Sequence, residues 1–160
     1  MKRLVPLLMA ALLGAGGGAH AQAVAPTPPV VAVDPAAFLA RNAKAAGVKV
    51  LPSGLQYKVV HSGPAGPSPK QGDVIKVHYE GALVSGTVFD SSFTRGRPAL
   101  MPLDRLVPGW MEALPLMHVG DEWMLYLPAE LGYGAGGAGP IPPNSVLVFR
   151  LKLLGMLSAD

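Results

Sequence analysis

The chain of 160 residues is half apolar, 14% charged and free of cysteine. That length supports one hydrophobic core with appendages, and the lack of cysteine excludes disulfides, lipid attachment to cysteine and thiol catalysis. The formal net charge of +3 becomes about +1 (11 basic against 10 acidic residues) once Lys2 and Arg3 are set aside with a removable leader. Such a balance argues against binding to a nucleic-acid backbone.

The amino terminus has the three parts of a secretory signal. A basic start precedes an apolar stretch over residues 4–13, and small residues follow around 19–23. The apolar stretch is shorter than the roughly 20 residues of a membrane-spanning helix. The sequence therefore predicts a signal peptide over residues 1–23, cleaved after Ala21 or Ala23, and a periplasmic protein.

The next segment, residues 24–49, predicts a tether followed by a short helix. Proline is frequent from Pro26 to Val33, which favours an extended chain with little to pack against. Asp34 and Pro35 are typical of a helix cap and first turn, and Gly47 of a helix end. We expect one helix of about a dozen residues between them.

From Leu55 onward the hydrophobic period changes to two, which predicts half-buried antiparallel strands. Segment 122–127 predicts a further strand, and segment 83–89 a hairpin that turns at Ser85 and Gly86. One helix begins near Pro108 and ends at about Pro115. The three alternating segments contain Leu55, Tyr57 and Val59; Ile75, Val77 and Tyr79; and Leu147, Phe149, Leu151 and Leu153.

These patterns predict an α+β fold in which a curved antiparallel sheet wraps against one short helix. Two stretches rich in glycine and proline connect its elements. Residues 62–72 predict a surface loop, because strands with matching alternation lie on both sides. Residues 128–144 are long for a structureless connection, which favours a functional flap.

Conventional catalytic patterns are missing from the sequence. Its four histidines show no metal-ligand spacing, and no Gly-x-Ser-x-Gly elbow occurs. Residues 134–139 match Gly-x-Gly-x-x-Gly, but residues 140–143 contain three prolines and cannot form the helix that a dinucleotide site requires. Nucleotide binding is therefore not indicated.

A group of large apolar residues remains, and each taken alone is more typical of plain core than of a site. As a group they are placed unusually: Trp110 stands at a helix start after Pro108 and Gly109, where an indole can form the floor of a hollow. Tyr133 and Ile141 belong to the flap. The other members are Tyr79, Phe89, Leu106, Val107 and Phe149.

The sequence resembles the FKBP family of peptidyl-prolyl cis/trans isomerases. The resemblance covers about residues 50–156 and implies a half-open, strongly twisted antiparallel sheet around one short helix. The string SGLQYKVV at 53–60, with the predicted signal, is similar to the periplasmic, macrophage-infectivity-potentiator-like branch. The other matching strings are VHYEG at 77–81, FDSS at 89–92, VPGWMEAL at 107–114, GYG at 132–134 and IPPNSVLVF at 141–149.

The resemblance implies an isomerase domain over residues 50–157 with an apolar pocket for proline. In it Trp110 is the floor, Asp90 holds a polar position at the edge and Tyr133 offers its hydroxyl to the substrate backbone. The walls are Tyr79, Phe89, Val107 and Phe149, and the rim is Leu106 and Ile141. Two wall positions that are often aromatic in the family are Ala99 and Met101 here, so we expect a wider, softer pocket.

The resemblance further implies rotation about X-Pro bonds in unfolded or partly folded exported polypeptides. It implies no cofactor, metal, nucleic acid or, after cleavage, membrane partner. The short region before the domain favours a monomer. Two alternatives stay open at this point: a non-enzymatic chaperone that uses the pocket for affinity alone, and a scaffold or adhesion role that uses the tether and the first helix.

Overall fold

Seven strands form one antiparallel sheet within residues 33–159, the part of the chain that the computed structural model describes. The predicted signal peptide and residues 24–32 of the segment that follows it lie outside these residues. The strands are β1 Val48–Val50, β2 Gln56–His61, β3 Val74–Leu83, β4 Val88–Ser91, β5 Ala99–Pro102, β6 Glu122–Leu127 and β7 Leu147–Leu157. The helices are α1 Pro35–Asn42 and α2 Pro108–Ala113.

The strand order is β1-β2-β6-β7-β3-β4, and every pairing is antiparallel. The outer edge of β3 is shared: β5 pairs with its first half, from Val74 to Val77, and β4 with Glu80–Ala82. Because the sheet is open and α2 packs on one face, the predicted α+β architecture is confirmed. The open end near β3, β4 and β5 is where a hollow can form.

The predicted alternation of strand side chains is confirmed in the centre of the sheet. Ile75, Val77 and Tyr79 are buried on β3, while Lys76 between them is exposed. On β7, the residues Leu147, Phe149, Leu151 and Leu153 are all buried. Side chains of a strand alternate between faces, so one face of each strand builds the core.

Helix α2 covers that core. It begins at Pro108 as predicted and passes at Leu114–Leu116 into a turn of 3₁₀ helix. The side chains of Trp110, Ala113 and Leu114 are buried against the sheet.

The first helix is shorter than predicted. Its cap is confirmed, because the Asp34 carboxylate accepts a hydrogen bond from the Ala37 amide at 3.0 Å. The helix has eight residues rather than a dozen. Beyond Asn42 the amides of Lys44 and Ala45 bond to carbonyls three residues back, which tightens the chain into turns before Gly47.

Helix α1 is attached to the sheet by a buried side chain. Gln56 is 4% exposed, and its amide donates to the Leu39 carbonyl at 3.0 Å and accepts from Asn42 Nδ2 at 2.8 Å. Phe38 lies against Tyr126 on β6, with 6.1 Å between ring centroids. The start of the isomerase domain at residue 50 stays a prediction.

Sequence patterns did not predict β1 or β5, which are three and four residues long. Residues 62–72 form a loop, as predicted. Residues 128–144 are more ordered than expected of a flap, because they contain 3₁₀ turns at Ala129–Leu131 and Gly134–Gly136 and a bridge between Ala138 and Ile141.

Candidate functional site

A cavity of about 230 Å³ lies where the first turn of α2 faces the open end of the sheet. Nine of the ten residues named from the sequence line it. The lining residues are Tyr79, Phe89, Asp90, Met101, Arg105, Leu106, Val107, Trp110, Tyr133 and Phe149.

The floor of the cavity is built from aromatic rings packed edge to face. Trp110 is 4% exposed, and its ring centroid lies 5.3 Å from that of Tyr79 and 5.3 Å from that of Phe149, at 79° to each. Phe89 meets Phe149 at 5.7 Å and 87°. Edge-to-face contacts of this kind add to burial, so the floor holds a defined shape.

Two glycines allow the rings and the helix to come so close. A Cβ atom on Gly81 of β3 would lie 2.6 Å from Phe89 Cζ and 2.7 Å from Phe149 Cε1. A Cβ atom on Gly109 would lie 2.5 Å from Leu127 Cγ. Gly81 therefore lets both wall rings pack directly against the backbone of β3, and Gly109 lets α2 start directly over β6.

The polar edge of the cavity is a network of Tyr79, Asp90 and Arg95. The Tyr79 hydroxyl donates to Asp90 Oδ2 at 2.5 Å. The Arg95 guanidinium forms a short ion pair with Asp90 Oδ1 and donates through Nη2 to the Tyr79 oxygen at 2.9 Å. The network fixes the carboxylate and the phenol relative to each other.

The ionisation of this network follows from its contacts. Burial raises the pKa of the Tyr79 phenol, and the hydrogen bond to Asp90 adds to the rise, which Arg95 only partly offsets. Partial burial disfavours the Asp90 carboxylate, but hydrogen bonds from Tyr79 and Arg95 outweigh it and hold its pKa below the ordinary value. Near neutral pH the network is thus an ionised Asp90 held by a neutral phenol and a cation.

The two predicted site residues of segment 128–144, Tyr133 and Ile141, lie in different surroundings in the structure. Ile141 is 6% exposed, packs in the hydrophobic core and does not line the cavity. Its backbone exchanges two hydrogen bonds with Ala138, of 2.8 and 3.0 Å. Tyr133 does line the cavity and is 43% exposed, in the turn between the two 3₁₀ segments.

Sequence reasoning missed two arginines of the site. Arg95 follows β4 in a turn that returns its side chain to Asp90, five residues earlier. Arg105 precedes Leu106 and also lines the cavity. Arg95 comes three residues after the FDSS string, and nothing in its spacing showed that the chain folds back there.

A second, larger cavity of about 460 Å³ contains none of the predicted site residues. Its wall includes Tyr57 and Trp123, whose rings stack at 4.4 Å and 10°. Within residues 33–159 no three acidic, histidine or cysteine side chains are grouped to hold a metal ion. No helix in that range has the length and apolar character needed to cross a membrane.

Comparison with known proteins places this geometry in a family. The profile described as "FKBP-type peptidyl-prolyl cis-trans isomerase" matches residues 66–154, and "Domain amino terminal to FKBP-type peptidyl-prolyl isomerase" matches residues 31–59. A solved structure from Escherichia coli, FkpA, superposes with a TM-score of 0.75 at 42% identity, over 79% of this chain and 59% of that one.

Curated relatives are similar in sequence. The FKBP-type isomerase FkpA of Aeromonas hydrophila is 52% identical over 74% of this chain and 44% of its own length. The FKBP-type 22 kDa isomerase of Escherichia coli is 51% identical over 75% and 58%, and the outer membrane protein MIP of Legionella longbeachae 44% identical over 77% and 53%. The chain thus spans about half the length of the curated relatives it matches. By its profile match, its relatives and its fold, the chain belongs to the family of FKBP-type peptidyl-prolyl cis-trans isomerases.

Proposed function

We propose that this chain is a peptidyl-prolyl cis/trans isomerase whose 230 Å³ cavity holds the proline of an X-Pro bond. The observation that carries the proposal is the buried Trp110 indole, flanked edge to face by Tyr79 and Phe149. Pockets for drug-sized ligands measure roughly 300–1,000 Å³. A smaller, ring-walled hollow suits a single cyclic side chain.

The proposed chemistry needs no nucleophile or proton carrier. The barrier to rotation about the bond is about 18–20 kcal/mol, because resonance gives it double-bond character. Resonance places partial positive charge on nitrogen and partial negative charge on oxygen, and twisting removes that separation. An apolar, water-poor cavity disfavours the planar, charge-separated amide relative to the twisted one. Each preference of about 1.4 kcal/mol for the twisted form accelerates exchange roughly tenfold.

The polar residues of the site are proposed to orient the substrate. The Tyr79 hydroxyl is already bonded to Asp90 and Arg95. Tyr133, half exposed in its loop, is free to donate its hydroxyl to a carbonyl of the bound peptide. Leu106, Val107 and Met101 supply apolar contact beside the ring. Ile141 supports the loop from the core.

The biological setting is also part of the proposal. The basic and apolar amino terminus supports a signal peptide over residues 1–23 and export to the periplasm. There the domain, proposed to span residues 50–157, would act as a monomer on unfolded or partly folded exported polypeptides and assist their folding. The segment 24–49 would connect it and brace the sheet through α1. Neither a metal nor a cofactor has a part in this chemistry.

The test is exchange of a short proline peptide, followed by NMR with and without the purified mature chain. We expect accelerated exchange, and a fall of about tenfold or more in kcat/KM for Trp110→Ala. Trp110→Phe and Trp123→Phe form the matched pair, and only the first should lower kcat/KM, because Trp123 lies in the other cavity. Exchange at its spontaneous rate, with peptide binding retained, would instead support the non-enzymatic chaperone.

A further inference from the structure

We propose that Arg105 sets the charge preference of the isomerase site, so that proline bonds flanked by an acidic residue are favoured over those flanked by a basic one. The inference rests on the proposed function and deepens it, because it names the substrate class. It starts from the two charged side chains that line the cavity, Asp90 and Arg105.

The negative charge of the cavity is already compensated. Asp90 forms an ion pair with Arg95 and accepts the Tyr79 hydroxyl. A carboxylate held in this way has little attraction left for a cation on a bound peptide, because both its oxygens have partners.

Arg105 has no such compensation. Among residues 33–159, no carboxylate lies within 4.0 Å of its guanidinium and no hydrogen bond is made by it, although Asp104 is its neighbour in sequence. Its side chain is exposed while still lining the cavity. A guanidinium presents several donors in a planar fork that matches a carboxylate. The lining thus carries one uncompensated positive charge beside the proposed proline site.

The exposure of Arg105 to solvent determines how strongly it attracts an acidic residue of the peptide. Ion pairs between exposed groups contribute about 0.2–1 kcal/mol, which corresponds to roughly 1.5- to fivefold in kcat/KM. Arg105 is exposed beside the apolar Leu106 and Val107, so the effect is expected within that range. Salt weakens such an attraction, because the Debye length falls from about 10 Å at 0.1 M to 3 Å at 1 M.

The experiment uses the full mature chain and two sets of proline peptides. In one set Glu, Gln or Lys precedes the proline, and in the other it follows. We expect kcat/KM for the Glu peptide to exceed that for the Lys peptide by about two- to fivefold at low salt in at least one set. The ratio should approach one at 1 M salt.

Variants assign the preference to one side chain. Arg105→Gln should bring the Glu-to-Lys ratio close to one at low salt, and Arg105→Glu should invert it. Arg41→Gln is the matched control, since it removes the same charge from an exposed residue of α1 that does not line the cavity, and it should leave the ratio unchanged.

Failure of this inference is distinguishable from failure of the proposed function. Equal rates for all peptides in both sets, or a ratio that survives Arg105→Gln, would overturn the role of Arg105 while leaving an active isomerase. Absence of accelerated exchange for every peptide would overturn the isomerase itself, and the proposed charge preference with it.

Discussion

The Tyr79 phenol oxygen lies 2.5 Å from Asp90 Oδ2, while the Tyr79 ring packs edge-on against Trp110. One side chain therefore joins the apolar floor of the cavity to its polar edge. Changes to the hydroxyl and changes to the ring should have separable effects, because the first alters orientation and the second alters shape.

Tyr79→Phe tests the hydroxyl alone. The ring stays against Trp110, but the Asp90 carboxylate loses a hydrogen-bond donor and Arg95 loses an acceptor, while their ion pair remains. Losing a hydrogen bond worth about 1 kcal/mol should lower kcat/KM about fivefold and leave the fold intact. Tyr126→Phe is the control, because Tyr126 lies on β6 outside the cavity lining. Unchanged kinetics in Tyr79→Phe would show that the network is structural only.

The pH dependence of stability tests the low pKa of Asp90. A carboxylate whose pKa is lower in the folded state stabilises the protein above its ordinary pKa of roughly 4 and loses that contribution as pH falls through the folded value. Urea unfolding from pH 6 to pH 2 should show the unmodified chain losing stability faster than Asp90→Asn below about pH 4. If the free energy of unfolding falls equally with pH in both proteins, the lowered pKa of Asp90 is contradicted.

The network of Tyr79, Asp90 and Arg95 also predicts an exchange rate that does not depend on pH near neutrality. The pKa of Asp90 is lowered and that of Tyr79 is raised. Neither group therefore changes its charge between about pH 5 and pH 9. If both only orient the substrate, the intrinsic exchange rate at saturating enzyme should stay level over this range. A steep dependence would indicate proton transfer in the reaction.

Gly81→Ala tests the packing of the cavity wall. The added methyl group would lie within 2.7 Å of Phe89 and Phe149, so both rings must move. We expect a loss of about 1–3 kcal/mol in unfolding free energy and at least a tenfold loss of kcat/KM. Gly155→Ala on β7 is the matched control, because its new methyl group meets nothing closer than 3.9 Å. Similar losses in both variants would exclude a specific role for Gly81.

Leu103→Ala tests the core beneath the site. Leu103 is fully buried just after β5, so its truncation should cost about 2–5 kcal/mol of unfolding free energy. Leu100→Ala in the same region should change stability by less than about 0.5 kcal/mol, since Leu100 is 69% exposed. Denaturant unfolding monitored by far-UV circular dichroism measures both, and equal effects would contradict the burial assigned here.

The α+β class, the central strands and both helix starts could be predicted from the sequence, because each depends on local spacing. Period-two burial marks β3 and β7, and Asp34 with Pro35 marks the start of α1. The short β1 and β5 could not be predicted, since strands of three or four residues show too little alternation. The length of α1 was overestimated because its end depends on turns that connect it to β1.

Most of the candidate site was likewise named from motif strings that are similar to the family. Those strings identify residue types at fixed positions along the chain, and nine of the ten named residues line one cavity. Only the tertiary structure decided that Ile141 packs inside the core, that Arg95 closes onto Asp90, and that Arg105 lines the cavity without a partner. The physical reason is that the periodicity of a strand or helix depends on residues close together in the sequence. The partners of a charged side chain depend instead on which residues the fold places next to it.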